Sequence, residues 1–110
     1  MVAGAFEEVA DLLQRYFDGL HESDVEVLRR VFHPDAVYAC ATVEPLVRLG
    51  MDEYLRVVAA RPSPSSRGEP RRDQILAIEF AGPNTAFAKV RCAIAPKYFT
   101  DFLTLVRVAG

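Results

Sequence analysis

The sequence has no tryptophan, only two histidines and two cysteines, and no long apolar run. Its cysteines, Cys40 and Cys92, are too far apart for a zinc-binding pair and too few for a disulfide framework. The longest uncharged, mainly apolar run, Ala36 to Val43, covers less than half of a membrane span. We therefore expect no metal site, no disulfide-stabilised fold and no membrane-spanning segment.

The sequence also has no excess of positive charge. It contains 13 Lys and Arg residues and 15 Asp and Glu residues, so its net charge is −2. This balance provides no basic surface for phosphates, which argues against nucleic-acid binding. Glu7 and Glu8 stand where a secretion signal needs basic residues, so a cytoplasmic location is expected. Since 51% of the 110 residues are apolar, residues 1–110 are expected to form a single domain.

Three segments have the apolar spacing or the end signals of helices. Apolar residues recur at steps of three and four between residues 6 and 20, which predicts an amphipathic helix. Ser23 and Glu26 form a capping-box pattern that predicts a second helix, and residues 51–60 predict a third. The buried faces of the second and third helices are predicted to comprise Val25, Leu28, Val31 or Phe32, Tyr54, Val57 and Val58.

Five runs of β-branched, aromatic and aliphatic residues predict strands. The Pro-, Ser- and Arg-rich segment 61–72 predicts a mobile loop. This order of elements implies an α+β fold, with a mostly antiparallel sheet and its helices packed on one face. The predicted strands span residues 36–43, 46–49, 74–80, 85–95 and 98–108.

The last two strands form a predicted hairpin whose inner face is apolar except for Asp101. If Pro96 and Lys97 form a two-residue turn, Asp101 lies opposite Cys92, with Phe99 beside it on the same face. A carboxylate in apolar surroundings is costly unless it is hydrogen-bonded, paired or protonated, and desolvation raises its pKa. Asp101 is therefore a candidate general base. Two alternatives stay open: Asp101 accepts a hydrogen bond from a Tyr or His in the cavity wall, or a one-residue slip turns it toward water.

Other polar side chains are candidates for the same site. Tyr16 and Tyr54, on two predicted helices, can stabilise a developing oxyanion or serve as core aromatics. His33 can form an acid–base pair with Asp35, although an Asp beside a proline more often hydrogen-bonds the turn backbone. The arginines of segment 61–72 could attract an anionic ligand, but Glu69 and Asp73 dilute their charge, so they are expected to be solvated. These arginines are Arg61, Arg67, Arg71 and Arg72. The candidate ligand-binding residues are Tyr16, His33, Tyr38, Tyr54, Cys92, Phe99 and Asp101.

Four segments, together with Asp24 and Leu28, carry a family resemblance. They are Tyr16-Phe17-Asp18-Gly19-Leu20, Phe32-His33-Pro34-Asp35-Ala36, Ala59-Ala60-Arg61-Pro62-Ser63-Pro64 and Tyr98-Phe99-Thr100-Asp101-Phe102-Leu103. In combination they resemble the nuclear transport factor 2-like superfamily, and within it the small bacterial SnoaL-like proteins labelled "putative lumazine-binding". The resemblance covers residues 9–108.

The resemblance implies a cone-shaped α+β roll in which three helices and a curved sheet enclose an apolar cavity. It also implies a homodimer that packs through the convex face of the sheet. Relatives continue with one further strand after the strand that ends near residue 108, so we expect this chain to lack the final strand and to leave that sheet edge open.

The superfamily includes both enzymes and proteins without known chemistry, so two functions stay open. The first is a non-catalytic module that binds a hydrophobic small molecule, oriented by Asp101, without a cofactor. The second is a cofactor-independent isomerase, dehydratase or cyclase, in which Asp101 takes a proton next to a carbonyl and Tyr16 or Tyr54 donates to the resulting oxygen. We favour the first, because the sequence provides one candidate base but no equally clear acid.

Overall fold

The computed structural model describes residues 4–42 and 44–108. Two antiparallel sheets form in this part of the chain: a β1-β2 hairpin and a three-stranded sheet in the order β3-β4-β5. The α+β prediction is confirmed. Among the described helices, none is long and apolar enough to cross a membrane. The elements are α1 (Ala5–Glu22), α2 (Val25–Val31), β1 (Val37–Cys40), β2 (Val47–Gly50), α3 (Met51–Ala60), β3 (Gln74–Phe80), β4 (Thr85–Ile94) and β5 (Lys97–Val106).

The core joins one stripe of each helix to the inner face of β4. Val57, which was predicted to be buried, is 48% exposed. Residues at steps of three and four fill the inward stripe of α3, and Val57 lies beside that stripe. The buried members are Leu13, Tyr16, Phe17, Leu20, Leu28, Met51, Tyr54, Leu55, Val58, Ala88, Val90 and Cys92.

A close approach and a cap define the corner between α1 and α2. A Cβ atom on Gly19 would lie 2.6 Å from Cδ2 of the fully buried Leu28, so only glycine allows this packing. Ser23 ends α1 in the left-handed conformation, with φ 51°. The Asp24 side chain instead caps α2 by accepting hydrogen bonds from two backbone N–H groups, at 3.1 and 3.2 Å. The predicted cap at Ser23 is therefore wrong, because Ser23 is used to end the preceding helix.

The strand boundaries differ from the predictions by a few residues. β1 ends at Cys40, and Val43, the predicted end, lies outside the described residues. The predicted loop 61–72 contains a 3-10 turn, Ser65–Arg67, and a buried Pro64. The Ser63 hydroxyl stabilises that turn by accepting a hydrogen bond from the Ser66 N–H, at 3.0 Å.

Candidate functional site

Asp101 lies on the inner face of β5 and pairs with Val90 of β4. The predicted pairing with Cys92 is wrong, because Ala95 and Pro96, rather than Pro96 and Lys97, connect the two strands. The β4 partner of each β5 residue is therefore shifted by two positions from the predicted one. Because side chains alternate with a period of two, an even shift leaves every residue on its predicted face.

Tyr16 of α1 reaches across the core to Asp101. Its ring belongs to the inward stripe of the helix and is 3% exposed. The Tyr16 hydroxyl donates a hydrogen bond to Oδ2 of Asp101. The sequence left open whether Asp101 accepts a hydrogen bond from a Tyr or His or faces water. In the structure, the Asp101 carboxylate faces inward and accepts a hydrogen bond from Tyr16.

Aromatic rings continue from Tyr16 to the β1 hairpin. The Phe32 ring lies edge-on to Tyr16, with centroids 5.7 Å apart, and edge-on to Tyr54 at 5.9 Å. Tyr54 stacks on Tyr38 with centroids 4.9 Å apart and an interplanar angle of 20°. The sequence gives Phe32 a helix-packing role and a place in one of the resemblance segments, and neither indicates its contacts with Tyr16 and Tyr54. We call Tyr16, Phe32, Tyr38, Tyr54, Cys92 and Asp101 the Asp101 cluster.

Burial controls the protonation states in the Asp101 cluster. Desolvation raises the pKa of Asp101, and the hydrogen bond from Tyr16 partly opposes that rise. Burial, reinforced by the Asp101 charge, raises the pKa of Tyr16 well above its ordinary value. Burial also raises the pKa of Tyr54 and of the Cys92 thiol to about 12 each. The phenols and the thiol therefore keep their protons, and Asp101 is the member that can change charge.

The other predicted site residues have different surroundings. Phe99 shares the inner face of β5 with Asp101 and packs against the core. Tyr38 is half-buried, whereas its neighbours on β1, Val37 and Ala39, are exposed. The His33 side chain is 51% exposed, and its Nδ1 accepts a hydrogen bond from the Asp35 backbone N–H at 3.0 Å. His33 is thus bound to its own turn, and the ring rather than the Asp35 carboxylate makes the backbone contact.

Arg61 departs from the expectation that the arginines of segment 61–72 are solvated. It is the C-cap residue of α3, and its Nε is buried without a hydrogen-bond partner in the described part of the chain. Arg71, by contrast, lies on the surface and pairs with Asp18 and Asp73 at 2.9 Å. The sequence placed Arg61 in a family-resemblance segment but did not separate it from the neighbouring arginines, because the burial of its Nε depends on how α3 packs.

Two pockets of the described residues lie near the Asp101 cluster, and Cys92 is the cluster member that lines one of them. One, between Phe17, Pro64 and Cys92, has a volume of about 20 Å³, enough for one water molecule. The other is an open groove of about 380 Å³ that runs along α1 past Leu12 and Leu105. Neither pocket is lined by Tyr16 or Asp101. Within residues 4–42 and 44–108, no group of three or more His, Cys, Asp or Glu is placed to hold a metal ion.

Comparisons with known proteins identify the family. The fold is similar to the crystal structure of a protein from Silicibacter pomeroyi described as NTF-2 like and of unknown function. The TM-score is 0.78 at 19% identity, over 98% of this chain and 90% of that chain. A family model described as "Putative lumazine-binding" matches residues 4–110. The chain belongs to that family.

Membership of this family confirms the resemblance to the small proteins labelled "putative lumazine-binding". The structural likeness to the Silicibacter protein, at 19% identity, establishes the fold alone. No curated protein matches this chain.

Proposed function

We propose that this member of the lumazine-binding family binds a small, flat, mostly apolar molecule against the Asp101 cluster, without chemical conversion. The observation that carries the proposal is a half-buried carboxylate held by Tyr16 at the end of a row of aromatic rings. Lumazine, which the family description names, is a planar ring compound of the kind such rings can stack with. Polar groups set among apolar walls are typical of small-molecule sites.

Asp101 provides the polar contact that orients the ligand. A carboxylate has two oxygens, and Tyr16 donates to Oδ2. Oδ1 is therefore available to a ligand N–H or O–H. A hydrogen bond to a charged acceptor in partly desolvated surroundings contributes more than one in water, so this contact is expected to select ligands that carry a donor.

An Asp101→Asn variant tests this role, with fluorescence titration of 2-naphthol, a flat probe with one hydroxyl donor. We expect the variant to bind 2-naphthol about tenfold more weakly than the wild type, because an amide is a weaker acceptor than a carboxylate. Asp35→Asn is the matched control, since that side chain is 93% exposed and should leave affinity unchanged. Equal affinity of the wild type and Asp101→Asn would contradict the proposal.

Proton transfer is a second candidate function, and the raised pKa of Asp101 favours it. Asp101 would take a proton from a carbon next to a carbonyl. Tyr16 donates to Asp101 itself, so the resulting oxygen would need Tyr54 or Tyr38 as its donor. Enhanced deuterium exchange into 2-tetralone by the wild type, lost in Asp101→Asn, would support catalysis, whereas exchange at the buffer rate in both proteins would exclude it for this ketone.

For assembly, we propose a homodimer that packs through the outer face of the three-stranded sheet. Phe102 and Tyr98 are 67% and 71% exposed there, and Phe102 stacks on Phe87 with centroids 5.6 Å apart. Exposed aromatic patches of this kind are typical of protein interfaces. In sedimentation equilibrium, we expect a wild-type dimer and a Phe102→Glu monomer with an unchanged circular dichroism spectrum. A monomeric wild type at high protein concentration would refute the proposed dimer.

A further inference from the structure

Arg61 has the features of an arginine that binds an anion. Its Nε is fully buried and has no hydrogen-bond partner among residues 4–42 and 44–108. The other ten arginines are all exposed, and four of them, Arg29, Arg67, Arg71 and Arg107, have a carboxylate within 4.0 Å. A buried guanidinium N–H without an acceptor is unfavourable and is rarely left so without a reason.

The position of Arg61 on α3 places it beside the aromatic part of the Asp101 cluster. Tyr54 and Arg61 are seven residues apart, two helical turns, and so lie along one side of the helix. Tyr54 stacks on Tyr38, so Tyr38 belongs to the same region as Tyr54. The positive charge of Arg61 lowers the pKa of both Tyr38 and Tyr54, against the larger opposing effect of burial, which supports this proximity.

Asp101 and Arg61 bring opposite charges to the same two phenols. Beside the larger effect of burial, the Asp101 charge raises the pKa of Tyr38 and Tyr54, and the Arg61 charge lowers it. The cluster region thus combines a carboxylate that accepts a hydrogen bond from Tyr16 with a cation and two phenol donors.

We propose that Arg61, together with the hydroxyls of Tyr38 and Tyr54, binds an oxyanion of the ligand, so that the natural ligand is a planar aromatic acid. This inference rests on the proposed function, because it names the chemical class of the molecule that the Asp101 cluster binds. A guanidinium and two phenols are all hydrogen-bond donors, and together they match an ionised carboxylate or an acidic ring oxygen.

A matched pair of probes tests the inference, 2-naphthoate and the uncharged 2-naphthamide, by titration calorimetry. We expect the wild type to bind 2-naphthoate about tenfold more tightly than 2-naphthamide, because only the former carries the oxyanion. Arg61→Gln should lose this preference while it keeps its affinity for 2-naphthamide, and Arg61→Lys should retain part of it. Arg56→Gln is the control, since Arg56 is exposed on the same helix.

The outcomes separate this inference from the proposed function. If both probes bind the wild type equally, or if Arg61→Gln retains the preference for 2-naphthoate, the oxyanion site is refuted while aromatic binding stands. If neither probe binds the wild type, the proposed function fails and this inference fails with it. Thermal unfolding of Arg61→Gln and Arg61→Lys shows whether a lost preference is due to loss of folding, and a folded Arg61→Lys keeps the test decisive.

Discussion

A Phe17→Ala variant is expected to lower the free energy of unfolding by about 3–5 kcal/mol, the largest stability loss that we predict for this chain. Phe17 is 2% exposed, and its ring lies 5.7 Å from the Tyr16 ring, in the layer between α1 and the sheet. Truncation would remove the transfer energy of the ring and leave a cavity that neighbouring side chains cannot fill. Urea unfolding followed by circular dichroism measures the loss directly.

Phe6→Ala is the matched control for Phe17→Ala, because Phe6 lies on the same helix and is 56% exposed. Its free energy of unfolding should differ from that of the wild type by less than about 0.5 kcal/mol. If the two variants unfold at the same urea concentration, the placement of Phe17 in the core is wrong.

Tyr16→Phe is expected to lower the free energy of unfolding by about 1.5–3 kcal/mol near neutral pH, the usual effect of removing a hydrogen bond to a charged group. The ring would keep its packing, so the loss reports on the hydroxyl that Asp101 accepts from. Without that donor, the pKa of Asp101 in the folded protein should rise further above its ordinary value of 3.8.

The cost of Tyr16→Phe should grow with pH. The pKa of Asp101 is raised in the folded state, so its contribution to stability is fully present below the unfolded pKa and is lost as pH rises through the folded pKa. The variant has the higher folded pKa and therefore loses more over that range. Below pH 3.8, where Asp101 is protonated in both states, only a neutral hydrogen bond is missing.

Urea unfolding at several pH values tests this dependence, with Phe6→Ala as control because Phe6 lies on the same helix as Tyr16 and is 56% exposed. A difference between Tyr16→Phe and the wild type that stays constant from acid to neutral pH would show that Asp101 does not titrate against the Tyr16 hydroxyl. The control is expected to match the wild type throughout.

Local patterns in the sequence were enough to predict which residues of β4 and β5 share a face. Asp101 was placed on the inner face of β5 although its predicted partner was wrong, because a two-residue shift preserves the alternation of faces. The turn itself could not be located, since both Ala95-Pro96 and Pro96-Lys97 suit a short connection between strands. The predicted helix cap at Ser23 was wrong for a similar reason. A residue between two helices can either end the first helix or cap the second.

The sequence by itself determined the α+β class, the family resemblance and the inward faces of β4 and β5, because periodicity and short motifs are local properties. Only the tertiary structure decided which of those faces meet. The contact of Tyr16 with Asp101 joins residues 85 positions apart, and the burial of Arg61 depends on how α3 packs. His33 is held at its own turn, because its Nδ1 accepts a hydrogen bond from the Asp35 backbone N–H. Such choices depend on the packing of whole elements against each other, which the spacing of residues within one element does not specify.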